Sequence, residues 1–279
     1  MNNLELQKIA NEVRKGIIIS THAAKAGHPG GSLSAADIFT YLYFEEMQNI
    51  DPANPKNPDR DRFVLSKGHT APGLYAALAL KGFFPFEDLV TLRKLHSYLQ
   101  GHPDMKSTPG VDMSTGSLGQ GISAAVGMAL AARIDKKDYR VYTLLGDGEI
   151  EEGQVWEAAM YAGHKKLDNL VAIVDNNGLQ IDGKIEDVCS PYPIDKKFEA
   201  FNWHVINADA HDFDSLRAAF AEAKTVKGMP TVIVCKSIKG KGVSFMENQA
   251  GWHGVAPNDE QKEIAMAELE KAGEELCQK

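Results

Sequence analysis

The feature that most constrains this chain is a rhythm in its second half. Uninterrupted apolar runs such as "LVAIV" and "TVIVC" recur, separated by stretches with helical spacing. A strand with one face in water alternates polar and apolar residues; these runs do not alternate, so both faces must be covered. The expected order is strand 140–145, helix 151–165, strand 169–174, helix near 195–201, strand 203–208, helix 212–224 and strand 231–235. Strands that alternate with helices build a parallel sheet with helices on both sides. The fold class expected is three-layer α/β, a mostly parallel sheet flanked by helices.

The first third is helical. Leu4, Ile9, Val13, Ile17 and Ile18 recur at helical spacing and predict an amphipathic helix over 4–26. Glycines at 27–31 break it, and Ser32 or Ser34 is expected to cap a second helix, with Asp37 near its first turn. "DPANPKNPDRDR" holds three prolines and reads as an extended surface loop. "RFVLSKGH" reads as a short strand ending in a turn, and "APGLYAALALKG" as helix. The stretch 101–121 lacks periodicity, and loops of that length in compact domains usually serve function or are disordered. Its glycines and histidine favour function. A small-residue helix, "ISAAVGMALAARI", follows, and a charged helix is expected over 258–275. With no repeat or linker in view, residues 1–279 read as a single domain with the helical third packed on the sheet.

Composition narrows the partners. The formal charge is −8 and basic residues come only in pairs such as Lys136-Lys137, so nucleic acid and anionic membrane are not expected partners. No apolar run approaches membrane-spanning length, and the N-terminus is charged throughout, unlike a signal peptide. Cys189, Cys235 and Cys277 lie far apart without metal-like spacing, and Cys235 sits in an apolar strand as a core residue would. A cytoplasmic protein is expected.

Three groups of residues carry chemistry. In open parallel sheets, ligands sit beyond the carboxyl ends of the strands. Asp147 in "LLGDGE" and Asn177 in "VDNNGLQ" stand at two such ends, which one βαβ crossover makes neighbours. Each motif alone is a common turn. Together, a carboxylate, an amide and a backbone carbonyl form a hard-oxygen set suited to Mg²⁺ or Ca²⁺ bound to phosphate oxygens. The helix expected to begin near Glu151 would aim free N–H groups at the same place. The second group is His28, His69, His102 and His253, all beside glycine in loops. Such imidazoles donate to phosphate or hydroxyl oxygens and move protons near neutral pH. A zinc cluster is the competing use, weakened by the lack of close histidine pairs. His22, His96, His164, His204 and His211 lie within or at the ends of expected elements and are taken as structural. The third group is "STGSLGQG", either a flexible helix entry or backbone packed against a flat ligand.

Together, "GHPGGSLSAADI", "LSKGHTAPGLYA", "GHPD", "STGSLGQGISAAVGMALA", "GDGEIEEGQVWEAAMYAGHKKLDNLVAIVDNNGLQIDG" and "WHGVAP" resemble the N-terminal, diphosphate-binding part of the transketolase family. The motifs stand in family order across almost the whole chain. "GDGE" with "DNN" is the broader thiamine-diphosphate signature, and the histidine segments point to transketolase. The resemblance implies the thiamine-diphosphate-binding fold, with thiamine diphosphate and Mg²⁺ as cofactors, Ca²⁺ or Mn²⁺ being alternatives. It implies Asp147, Asn177 and the Leu179 carbonyl as metal ligands. His69, Gly148, Glu149, Asn177 and His253 would bind the cofactor at its diphosphate end, and Gly116, Ser117 and Leu118 would line its rings. His28, His102 and His253 would surround the reacting carbon and act on sugar hydroxyls. The implied reaction moves a two-carbon ketol unit from a ketose phosphate to an aldose phosphate, as in the pentose phosphate pathway.

Where the sequence departs from the family, the expectation changes. Transketolases also carry a pyrimidine-binding domain, which supplies the activating glutamate, and a C-terminal domain; no segment here matches either. The chain is therefore expected to be the N-terminal subunit of a split transketolase, active in a hetero-oligomer with a separate C-terminal subunit. The segment "SIKGKGVSFMENQAGWHG" is shorter and more lysine-rich than the common pattern. Competing readings are half of a deoxyxylulose-phosphate synthase or of a 2-oxo-acid decarboxylating component, and a non-catalytic cofactor-binding module.

Overall fold

The computed structural model describes residues 1–278. Helix α1 (Asn3–Ala24) starts at a capping box: the Asn2 side chain accepts the Glu5 N–H and the Glu5 carboxylate accepts the Asn2 N–H. Two short helices follow, α2 (Pro29–Ser34) and α3 (Ala36–Tyr41). Neither Ser32 nor Ser34 caps them, contrary to the sequence reading. Pro29 opens α2 one residue after His28, which leaves both serines inside the helix. There Ser32 Oγ donates back to the His28 carbonyl (2.7 Å), and Ser34 Oγ donates to Asp175 (2.5 Å). The proline-rich segment 51–61 is also not extended. Asp51-Pro52, Asn54-Pro55 and Asn57-Pro58 each open a turn, with N–H to C=O bonds such as Asn54 to Asp51 (3.0 Å) and Asn57 to Asn54 (3.1 Å).

The alternating half matches its pattern closely. After β1 (Arg62–Leu65), α4 (Ala71–Lys81) and α5 (Gly121–Ile134) come β2 (Val141–Gly146), α6 (Gly153–His164) and β3 (Leu170–Asn176). A two-residue-per-strand hairpin, β4 (Leu179–Gln180) and β5 (Gly183–Lys184), leads into the single turn α7 (Ile185–Val188). Then follow α8 (Ile194–Ala200), β6 (His204–Asp209), α9 (Phe213–Thr225), β7 (Thr231–Lys236) and α10 (Asp259–Cys277). The main sheet is parallel throughout, in the order β1-β2-β3-β7-β6.

The missing alternation in the strands is explained by two cores. Tyr142, Leu144, Val171, Ile173, Ile233 and Cys235 face a layer built from α1, α3, α4, α9 and α10. Their chain neighbours Val141, Leu145, Ala172, Val174, Val232 and Val234 face the layer of α5, α6 and α8. Cys235 is fully buried, as expected of a core residue. All strands of this sheet end at the same edge, and Gly146 pairs with Asp175 there, so the tips of β2 and β3 are side by side. The loop 101–120 forms no strand or helix; Thr115 anchors it across that edge by donating its Oγ1 to the Leu65 carbonyl (2.6 Å). No helix is long and apolar enough to cross a membrane among the described residues.

Candidate functional site

Asp147 leaves the tip of β2 almost completely buried. Its carboxylate accepts two backbone N–H groups, from Gly178 (2.6 Å) and Gly148 (2.9 Å), and among the described residues no cationic side chain bonds it. Burial and the nearby Asp175 push its carboxyl up to about 6, against the opposing pull of those N–H groups and Lys67. Asn177 and Leu179 stand beside it on the next tip. The Asn177 amide donates to Asp175 (3.2 Å) and its oxygen accepts the Leu179 N–H (3.1 Å). The Leu179 carbonyl accepts from Lys239 Nζ (3.3 Å).

Beneath these groups lies a charged hub. Asp175, with no exposure, accepts from Lys67 Nζ and Ser237 Oγ as well as from Ser34 and Asn177. Burial alone would raise its carboxyl, but Lys67 and the two hydroxyls outweigh that and hold it below the ordinary range. Lys239 is also buried, and burial beside Lys67 lowers its ammonium to about 8. Two buried ammonium groups so close to one open crevice favour an anion there.

The histidines converge. The rings of His28, His69 and His253 sit with centroids 5.0, 5.2 and 5.3 Å apart. Burial lowers all three: His28 to about 4, also by Arg93, His102 and Lys239; His253 to about 3, also by Lys239; and His69 well below its usual value, also by Lys67. All are neutral at pH 7. Lys239 Nζ lies 2.9 Å from His253 Nδ1. An ammonium only donates, so the proton of His253 belongs on Nε2. His102 is lowered by burial and Arg93, and its ring packs on Gly116. Gly116 needs to be glycine twice over: its φ is +149°, and a Cβ there would lie 3.0 Å from the His102 ring.

Ser117 and Leu118 are exposed, and Leu118 lines the crevice together with Ile181, 67% exposed. Gly148 borders the crevice with Asp147. Glu149 is placed differently from its neighbours. Its carboxylate is taken up by Ser66 Oγ (2.5 Å), Gly119 N–H (3.0 Å) and Gly146 N–H (3.0 Å), so it ties the residue after β1 and the 101–120 loop to the tip of β2. That reach-back also shifts the helix. Residues 149–151 form a tight 3₁₀ turn and α6 begins at Gly153, two residues later than the sequence suggested.

The crevice fits a divalent cation with an anionic partner. One buried carboxylate lacks a counter-cation in contact, and one amide oxygen and one carbonyl stand beside it. Among the described residues no cluster of three or more His, Cys, Asp or Glu side chains could hold a metal, so protein ligands alone do not complete a shell. That is the oxygen-poor set a Mg²⁺ ion completes with phosphate oxygens and water. A buried ring nitrogen of His28, Nδ1, has no hydrogen-bond partner among the described residues.

The remaining histidines lie elsewhere. His22 bonds Asp259 (2.7 Å), His204 bonds Glu222 (2.7 Å) and His211 bonds Asp37 (2.7 Å), while His96 and His164 are on the surface. Sequence reasoning missed Lys67, Lys239 and Asp175. The two lysines had a signal: each stands in a glycine-flanked turn just past a strand, as Asp147 does, in "SKGH" and "IKGKG". Asp175 had none, since an aspartate before "NNG" reads as a strand end.

Comparison with known proteins gives the family. The family model described as transketolase, thiamine diphosphate binding domain, matches residues 6–273. A 6-deoxy-6-sulfo-D-fructose transketolase subunit of Clostridium sp. (strain MSTE9) is 49% identical over 97% of this chain and 98% of its own length. An apulose-4-phosphate transketolase subunit of Phocaeicola vulgatus is 43% identical over 99% of this chain and 97% of its own length. The crystal structure of a transketolase from Campylobacter jejuni superposes with a TM-score of 0.88 at 34% identity, covering 98% of this chain but 43% of that one. The chain thus spans less than half of that solved protein.

Proposed function

The chain belongs to the transketolase family, as its thiamine-diphosphate-binding part, and from that premise we propose that it is the N-terminal subunit of a two-subunit transketolase. The observation that carries the reading is Asp147: a buried carboxylate without a counter-cation, in one crevice with three neutral histidines and two buried lysines. The split arrangement is supported by the two relatives matched nearly end to end, both named as transketolase subunits.

In this reading Asp147, the Asn177 amide oxygen and the Leu179 carbonyl hold Mg²⁺. His69, Gly148, His253 and Lys239 face the diphosphate, and Gly116, Ser117 and Leu118 border the rings. Glu149 acts by holding Ser66, Gly119 and the Gly146 tip of β2 together. When bound, thiamine diphosphate supplies the carbanion that breaks and remakes the carbon–carbon bond next to a ketose carbonyl. The chain's own part is positioning and proton movement. Because His28, His102 and His253 are neutral at pH 7, each can take a proton from a sugar hydroxyl or donate one through its N–H. The partner chain contributes the pyrimidine-binding domain with the activating glutamate, and the active form is a cytoplasmic hetero-oligomer.

The substrates are a ketose and an aldose with an anionic end. The relatives' names include a sulfonated fructose and a sugar phosphate, so the anionic end is a phosphate or a sulfonate.

Reconstitution tests the proposal. The chain, a candidate C-terminal subunit, Mg²⁺ and thiamine diphosphate are mixed and assayed for ketol transfer across phosphorylated and sulfonated sugars. Activity is expected only with both chains present; activity from this chain alone would refute the split. Asp147→Ala should weaken Mg²⁺-dependent cofactor binding by about 100-fold or more, measured calorimetrically on the complex. Unchanged metal-dependent binding would remove Asp147 from the ligand set.

A further inference from the structure

The segment Ser237–Gly242 follows β7 and contains no helix or strand, yet it delivers Lys239 to a buried position against the Leu179 carbonyl and His253 Nδ1. A lysine on a glycine-flanked loop gives up much side-chain and backbone freedom to stay there. Two contacts on the far side of the segment offset that cost. Before Lys239, the Ile238 N–H donates to His211 Nε2 (2.9 Å). After it, the Lys241 carbonyl accepts from Arg14 Nε (3.1 Å). The two holders come from distant elements, Arg14 from α1 and His211 from the turn between β6 and α9, and they meet on one atom. Asp37 Oδ2 accepts from Arg14 Nη2 (2.5 Å) and from His211 Nδ1 (2.7 Å).

The chemistry of the imidazole makes this more than packing. Nε2 accepts from an amide, so it carries no proton, and the ring proton must be on Nδ1, where Asp37 receives it. A carboxylate at position 37 thus selects the tautomer that can hold Ile238. The other charged groups around the ring are Arg14, Asp209, whose Oδ1 accepts the His211 backbone N–H (2.8 Å), and Lys241 at the end of the segment. Gly242 completes the fit, since a Cβ there would lie 2.7 Å from Arg14 Cδ.

We infer that Asp37 organises a three-residue clamp with Arg14 and His211, which positions the Ser237–Gly242 segment so that Lys239 is held in the cofactor crevice. All three are positioning residues. That Lys239 serves a diphosphate rests on the function proposed above; that the clamp sets its place does not.

The two claims are separable by experiment. His211→Gln keeps an acceptor oxygen at the distance of Nε2, whereas His211→Asn keeps the donor towards Asp37 but is too short to reach Ile238. Acetylation of Lys239 by acetic anhydride in the full chain is followed by mass spectrometry, with thermal midpoints read in parallel. Labelling should rise about tenfold in His211→Ala and His211→Asn, as loss of one positioning hydrogen bond predicts, and clearly less in His211→Gln, which keeps the Ile238 acceptor but gives up the donor to Asp37. Nitrogen-15 spectra of wild type should show His211 as the Nδ1–H tautomer at neutral pH. Equal labelling in the Gln and Asn variants, or an Nε2–H tautomer, overturns the clamp. If the labelling order holds while the two-chain complex binds no thiamine diphosphate, the clamp stands and the functional reading fails.

Discussion

Asp175 keeps its charge with no access to water because four side chains donate to it, one of them the ammonium of Lys67. Removing one member of such a pair leaves the other charge buried and unpaired. Asp175→Asn should therefore destabilise the chain by about 3–5 kcal/mol in urea unfolding, and the double change with Lys67→Met should recover a good part of that loss. Additive losses would show that the pair is not coupled. Asp147 makes a useful contrast. Both aspartates sit at the edge of the sheet, but only Asp147 stands between two glycines, so only it stood out in the sequence. The lysines that answer Asp175 and crowd His253 follow β1 and β7, two strands that sequence order separates by most of the chain.

At the level of elements, glycines show where two backbones meet. Gly163, near the end of α6, passes so close to Phe201 that a Cβ would lie 1.9 Å from that carbonyl oxygen. Gly127, in the middle of α5, has nothing within 4 Å of the same position. Alanine is the better helix former at both sites by propensity. Gly127→Ala should then stabilise by about 0.5–1 kcal/mol, while Gly163→Ala should destabilise by about 1–3 kcal/mol because backbone cannot move aside. Denaturant midpoints of the two variants, moving in opposite directions, would confirm the packing of α6 against the α8–β6 turn. The elements themselves were largely legible from periodicity and caps: α9 starts beside its Asp212 cap and α10 beside its Asn258 capping box, each within a residue of expectation. What periodicity could not show was the turn character of 51–61, where each proline follows an aspartate or asparagine, or the tight turn that delays α6. Both depend on side chains bonding nearby backbone, which leaves no period to read.

For the molecule as a whole, burying neutral histidines couples stability to pH. The folded values of His28 and His253 are about 4 and about 3, below the ordinary 6.5. Between those limits the unfolded chain binds more protons, so stability falls as the pH drops from 6.5 towards 4. Asp147, raised from 3.8 to about 6, acts in the opposite sense from pH 6 down to about 4. The difference between variants is therefore the measure: a His28→Gln, His253→Gln chain should lose less stability than wild type between pH 6.5 and 4.5 in urea titrations. An identical slope would mean that the rings are not buried neutral. The same assembly of distant parts marks the boundary of what could be read beforehand. The three-layer parallel sheet was already written in the chain, because strands apolar at every position must be covered on both faces. The candidate ligands were nominated there too, because two glycine-flanked polar turns at neighbouring strand ends coincide. Which charged and polar groups answer one another was settled by the closed fold alone. Asp175 with Lys67, Lys239 with His253, and Asp37 with Arg14 and His211 are pairings between parts of the chain brought together by folding. Their partners are set by how the helical layer and the loops close over the edge of the sheet, which no local pattern records.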